Sequence, residues 1–401
     1  FQLFKKKVAV VVTTFFPGSH ADLIINKLAN GFDYNGRFFE PKIEIASMYM
    51  DQIHPRDLGI PLAKKHNFDV YQSIHAALIL SHQNDGRPPT VDWTPGELNV
   101  DGVVIIGEHG DYSINEFNRQ LYPRRHFFEQ VCGVFDRSGR SVPVFSDKHL
   151  SYNWQDALWM YQRAQELNVP FMAGSALPLE DRYPDLQHPT GTRIQEALSM
   201  GFHHGYPNGL ESYGYHCLEG LQCMVERRAG AETGILAVQC LEGEDVWSSR
   251  DKGIWPGDLA EAVEAGLLRK KDGSMEENCH TPTVFLIEYR DGFRGTGLML
   301  PGHLKGFGYA ARIDGKIETT SFEGSRDRIS EGDGFRIQAL NIQEMVLTGK
   351  PQYPVERTLL VTGALDALFE SRRKGNIRIE TPHLDIKYKP FENLPVHPSA
   401  M

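Results

Sequence analysis

The chain has 401 residues, 41% of them hydrophobic and 23% charged, enough for about two domains with ordinary cores. A formal net charge of -10 argues against a protein that holds nucleic acid on a basic surface. No apolar run approaches the roughly 18 residues of a membrane helix, and the five cysteines form no CxxC pair, which suits thiols in a reducing, cytoplasmic setting.

The first residues do not read as a signal peptide, because Lys5, Lys6 and Lys7 lead straight into a strand pattern. The valine-rich run at 8–12 predicts a strand covered on both faces. A loop at 13–19 follows, then a helix over 20–30. Its Leu23, Ile24, Leu28 and Ala29 recur at helical spacing, and Gly31 stops it. Strands are expected at 43–50 and 69–71, a helix at 73–80, a surface loop insertion at 83–95, and a strand at 103–106. Helices at 124–136 and 154–167 then alternate with strands at 142–145 and 170–173. Such alternation predicts an α/β fold, a doubly wound parallel sheet of Rossmann type. Ligands of such sheets sit beyond the carboxyl ends of the strands, so the loops after 12, 50, 106 and 145 matter most.

Beyond about residue 193 the pattern changes. Strands are expected at 235–240, 283–289, 295–300 and 309–313, with helices near 215–228, 259–267, 337–347 and 357–374. This predicts an α+β unit with a largely antiparallel sheet. The expected organisation is a nucleotide-binding-like domain at 1–175, a substrate and oligomerisation domain at 176–381, and an irregular tail at 382–401. The helix near 357–374 is expected to pack back on the first domain.

Three motifs follow one another in this order. Ser146-Asp147-Lys148-His149 closes a strand. Gly214-Tyr215-His216-Cys217-Leu218-Glu219 opens a helix, and Glu370-Ser371 falls in a closing helix. The series resembles the glucose–fructose oxidoreductase, inositol dehydrogenase and rhizopine-catabolism family, which carries Glu-Lys-Pro and Gly-x-His-x-x-Asp at these places. The resemblance implies a homo-oligomeric enzyme that moves a hydride between NAD or NADP and a sugar, polyol or similar hydroxylated, carbohydrate-like compound. It implies that Lys148 holds the substrate oxygen and that His216 acts as base. Glu108, His109, Asp147, His149 and Glu219 are then candidates for substrate binding. Thr13, Thr14, Phe15, Ser19 and Gly107 are candidates for the cofactor, with Asp51 placed for ribose hydroxyls.

The departures from the family pattern are specific. Its Gly-x-Gly-x-x-Gly loop is here Thr13-Thr14-Phe15-Phe16-Pro17-Gly18-Ser19-His20, with one glycine and a proline that lacks an amide hydrogen. Its Asp, four residues before the histidine, is Ser212, next to Glu211. These changes, with the added His109 and His149, raise two alternatives. One is a metal-assisted or acid–base lyase or hydrolase, with His109, His149, His216 and Glu219 as candidate ligands of a divalent metal. The other is a sugar-binding protein without turnover. His303 and Lys305 are placed to reach the site from the second domain.

Overall fold

The computed structural model describes residues 5–81, 97–205, 208–325, 328–329 and 333–401. The insertion expected at 83–95 lies outside the described residues.

The first half contributes β1 (Lys6–Val12), a small hairpin of β2 (Phe32–Tyr34) and β3 (Arg37–Phe39), then β4 (Ile43–Met50), β5 (Asp69–Tyr71), β6 (Gly102–Ile106), β7 (Val144–Asp147) and β8 (Phe171–Gly174). Apart from the hairpin these strands pair in the order β5-β4-β1-β6-β7-β8, every neighbour parallel. The side chains of β1 alternate between two cores, as the period of a strand requires. Ala9 and Val11 face α3 (Ile74–Ile79), α4 (Arg124–Ser138) and α5 (Trp154–Glu166), meeting Ala77, Phe128 and Val131. Val8, Val10 and Val12 face α1 (His20–Asn30), meeting Ile24 and Leu28. A further helix, α2 (Gly59–His66), lies between β4 and β5 in the chain. The strand order reverses direction between β1 and β6, which makes the crevice above them the place for a ligand.

The second sheet holds β9 (Ile194–Gly201), β10 (Ile235–Glu242), β11 (Thr283–Tyr289), β12 (Arg294–Met299), β13 (Gly308–Ile313) and β14 (Lys316–Ser321). Two residue pairs, β15 (Gly324–Ser325) and β16 (Arg328–Ile329), bond to each other, and β17 (Ile379–Glu380) completes the sheet edge, giving the order β14-β13-β9-β12-β11-β10-β17. The sheet is mixed, because β9 pairs parallel with β12 while its other neighbour β13 is antiparallel. One face packs on α6 (Gly209–Val225). The other carries an apolar cluster built with α7 (Glu244–Asp251), α8 (Gly257–Gly266) and α9 (Met275–Asn278).

Several expectations shift. The helix placed near 215–228 starts at Gly209, so Ser212 and His216 share one helix. Gly214 and Gly220 both weaken helix propensity, and the first of them obscured its start. Packing explains both: a Cβ on either would press on Phe285 or Leu177 at 3.1 and 3.2 Å. The strand expected at 142–145 runs Val144–Asp147, which puts Lys148 just beyond its end. Strands β9 and β14 and helices α2 and α7 carried too little periodicity to be read. Two late helices tie the halves together. α10 (Asp333–Thr348) packs on α1 and the first sheet's core. α11 (Val355–Arg373) packs on α6 and β10 and also on α5 and β8. All five cysteines are buried and free. Among the described residues no helix is long and apolar enough to cross a membrane.

Candidate active site

A cavity of about 410 Å³ opens beyond the carboxyl ends of β6 and β7, between the start of α1 and the first turns of α6. Glu108, His109, Lys148 and His216 all line it, joined by His20, Ser212 and Tyr213. Phe202, Phe307, Phe322 and Phe335 supply apolar wall, and Arg269 and Lys305 reach it from the second half of the chain.

Lys148 is held unusually. Its φ is +64°, in the left-handed region that costs an L-residue roughly 1–2 kcal/mol. The strain is held by the Lys148 amide donating to the Gly174 carbonyl at 3.0 Å, and the Leu150 amide donating to Thr362 Oγ1 at 3.2 Å. The bend drives a side chain that is only 3% exposed into the cavity. Nζ donates to Ser212 Oγ at 2.6 Å and pairs with Glu108 Oε1 at 3.2 Å. An ammonium has three donors, so one remains for a ligand. His109, on the neighbouring strand end, is also left-handed, with φ +70°. Strained non-glycine residues cluster where a fold sacrifices stability for a site.

Electrostatics fix the charge states. Burial by itself would raise the Glu108 carboxyl, but Lys148 and Arg124 outweigh it and hold it well below the usual carboxylate range. Ser212 donates to the same carboxylate at 3.2 Å. Burial, helped by His20, pushes His109 down to about 4. Burial and the Lys148 charge hold His216 well below its ordinary value. His216 follows Ser212 by four residues on α6, one turn along the same face. Its ring meets Tyr213 and Phe307 edge-on at 5.9 and 5.8 Å, and its Nδ1 is buried without a partner. At neutral pH Glu108 is therefore a carboxylate, and the imidazoles of His109 and His216 are neutral.

A second row of charges stands behind. Arg124 bonds Glu108 and lies 3.2 Å from His149 Nε2, which is itself 3.2 Å from Glu211 Oε1. Glu211 accepts from Arg119 Nε at 2.9 Å, and Arg119 reaches Asp366 at 2.6 Å. Burial opposes ionisation of Glu211, yet Arg119 and His149 bring it down to about 2. Burial and Arg124 push His149 down to about 4. This chain of buried groups fixes Glu108, and through it Lys148, from the rear.

The remaining expected residues lie elsewhere. His149 is enclosed in that row and does not line the cavity. Asp147 is fully buried and accepts from His20 Nδ1 at 2.6 Å. Glu219 lies against Gly174 and accepts from the Ser175 amide and hydroxyl. Burial pushes its carboxyl up to about 7. The expected metal site of His109, His149, His216 and Glu219 therefore does not form. Among the described residues no three His, Cys, Asp or Glu side chains gather to hold a metal ion, because Glu219 is spent on Ser175 and His149 on Arg124 and Glu211.

The residues expected to meet a dinucleotide are also occupied. Thr13 Oγ1 donates to the Glu108 carbonyl at 2.7 Å, Thr14 is 2% exposed, and Phe15 is fully buried in the core. Ser19 caps α1, accepting from the amides of Phe16 and Asp22. Asp51 accepts from the hydroxyls of Tyr49 and Tyr112, each at 2.7 Å. Gly107 packs so closely on Arg124 that a Cβ would lie 2.5 Å from its Cγ. The Gly18 amide donates to Asp22 Oδ2 at 2.8 Å, and Pro17 has no amide hydrogen. Positions 16–18 thus offer no free donor, and this loop does not fit a pyrophosphate, which needs several.

Sequence reasoning missed His20, Tyr213 and Arg124. His20 was legible in principle, since the first residue of a helix after a sheet strand points to the crevice. Arg124 was not, because its partners Glu108 and His149 are 16 and 25 residues away.

No protein-family model matches the sequence, and neither does any curated protein. Solved structures share the fold. GenD2 from gentamicin A biosynthesis, solved in complex with NAD, is 14% identical with a TM-score of 0.57, over 95% of this chain and 97% of that one. A scyllo-inositol dehydrogenase from Lactobacillus casei, solved with NAD(H) and scyllo-inositol, is 12% identical with a TM-score of 0.57, over 94% and 99%. A myo-inositol dehydrogenase from Corynebacterium glutamicum is 10% identical with a TM-score of 0.53, over 94% and 99%. Likeness at this level of identity establishes the architecture, a Rossmann-type sheet joined to a mixed-sheet unit.

Proposed function

We propose that the cavity is the active site of an enzyme that exchanges protons with a hydroxylated, sugar- or polyol-like compound. The observation that carries this reading is the strained, buried Lys148, with one donor free, lining the same cavity as a neutral His216. Lys148 binds a substrate oxygen and stabilises negative charge growing on it. His216 accepts the proton, since its neutral form is the one present at neutral pH. Ser212 and Glu108 hold the lysine in place. Phe307 and Tyr213 flank the imidazole edge-on.

Hydride exchange with a nicotinamide is the second reading. Its support is that Lys148 and His216, the pair the sequence resemblance singles out, line one cavity of a dehydrogenase-like fold. The loop at 13–19 does not fit that cofactor. The test common to both readings is a thermal-shift screen of sugars, polyols and sugar acids against the protein and its Lys148→Met variant. A hit that stabilises the parent and not the variant is expected, with turnover of that hit reduced about 10²–10³-fold by the substitution. If no hydroxylated compound binds, or if the variant turns over the hit normally, the reading is wrong.

A further inference from the structure

Above the switch point between β1 and β6, three loops border the groove in which a dinucleotide would run, and here they are bonded to one another. From the loop after β6, the Asp111 amide donates to Gln52 Oε1 at 2.8 Å, and its carbonyl accepts from Gln52 Nε2 at 2.9 Å. The Tyr112 hydroxyl, from the same loop, bonds Asp51 at 2.7 Å. Gln52 and Asp51 follow β4, and β1 lies between β4 and β6 in the sheet, so these bonds bridge the carboxyl end of β1. From the loop after β1, Phe16 stacks on His54 at 4.4 Å and meets His109 edge-on at 5.4 Å, joining all three loops. Beneath it, the α1 start carries the Asp22 carboxylate on the Gly18 amide. A helix N-terminus favours negative charge at its first turn, and here Asp22 supplies it.

We propose that the groove is closed by the chain's own residues, with Asp22 standing where a phosphate would sit and Tyr112 where a ribose hydroxyl would, so that the cavity runs a redox-neutral reaction without a dinucleotide. The proposal rests on the acid–base reading of the cavity and narrows its reaction class. With no external hydride acceptor, hydrogen leaves a substrate carbon as a proton or shifts as hydride to the substrate's own carbonyl carbon, and a base beside an ammonium favours the proton. The substrate class is then a hydroxylated carbonyl compound, an aldose or ketose. The neutral His216 imidazole takes the proton from the carbon bearing the hydroxyl. The C–H electron pair passes into an enediolate whose oxygen Lys148 holds. The proton returns to the former carbonyl carbon while the hydroxyl proton passes to the other oxygen. One C–H bond breaks, one forms, and no oxidant or reductant is consumed.

Two measurements test this. Full-length protein is titrated with NAD⁺, NADH, NADP⁺ and NADPH by calorimetry and nicotinamide fluorescence. No binding is expected up to about 1 mM, a standard free energy weaker than about -4 kcal/mol. Micromolar binding of any of the four overturns the closed groove while leaving Lys148 and His216 as the acid–base pair. Sugars that stabilise the protein are then incubated with it in D₂O and followed by proton NMR, with no cofactor added. Loss of the proton signal next to the carbonyl, slowed at least 100-fold by His216→Gln, is expected. Bound sugars that keep that proton under these conditions overturn the proton-transfer reaction.

Discussion

Acidification should unfold this protein well before its carboxylates are protonated, and buried histidines are the reason. His149 and His188 are 2% and 1% exposed, and each is held at about 4 instead of 6.5. Burial comes first in both cases, followed by a neighbouring arginine, Arg124 for His149 and Arg182 for His188. The folded state keeps these rings neutral, while the unfolded chain binds protons once the pH falls below about 6.5. Stability is therefore present above 6.5 and lost on the way down to 4. At 1.36 kcal/mol per pKa unit, each ring accounts for roughly 3 kcal/mol over that window. His109 acts in the same direction. Glu219 acts oppositely: held at about 7, it adds roughly 3 kcal/mol as the pH falls from 7 to 4.5. The net loss, several kcal/mol, is comparable with the whole stability of an ordinary domain. Urea denaturation at intervals between pH 7.5 and 4.5 measures it. The His188→Gln variant should reduce the loss by roughly 3 kcal/mol, since His188 lies outside the cavity and its titration is removed. Equal stability at pH 7 and 4.5, or an unchanged slope in His188→Gln, would falsify the account.

Three further outcomes are expected. Ser212→Ala removes an acceptor from the Lys148 ammonium, which should lower kcat/KM about 10- to 100-fold on any substrate the cavity turns over, with urea denaturation registering a loss of about 1–3 kcal/mol. Arg357→Met leaves Glu226 buried without the bidentate partner that contacts it at 2.9 and 2.6 Å, and guanidinium denaturation should register a loss of about 3–5 kcal/mol. Burial pushes the Cys132 and Cys217 thiols up to about 12 and those of Cys223 and Cys279 up to about 11, and raises Cys240 as well. A thiol reagent at pH 8 should therefore label none of the five in the native protein and all of them after unfolding.

What the sequence determined by itself was the layered plan of the first half and part of the cavity. The runs at 8–12 and 103–106 are continuous and β-branched because both faces of a parallel sheet are covered, and such a signal survives without any knowledge of partners. Glu108 and His109 could be named because they follow a strand whose carboxyl end borders the crevice of such a sheet, and Lys148 because its motif resembles a known one. Only the tertiary structure decided what each group is free to do. Asp51, Asp22 and Glu219 are plain carboxylates in the sequence. In the fold the first is taken by two tyrosines, the second by a loop amide and the third by Ser175. His149 and His216 look equivalent as single letters, yet one is locked between Arg124 and Glu211 and the other keeps a buried nitrogen open. Hydrogen bonding saturates a group through partners that can lie 247 residues away in the chain, as Asp366 does from Arg119, and no local pattern encodes which donor reaches it first.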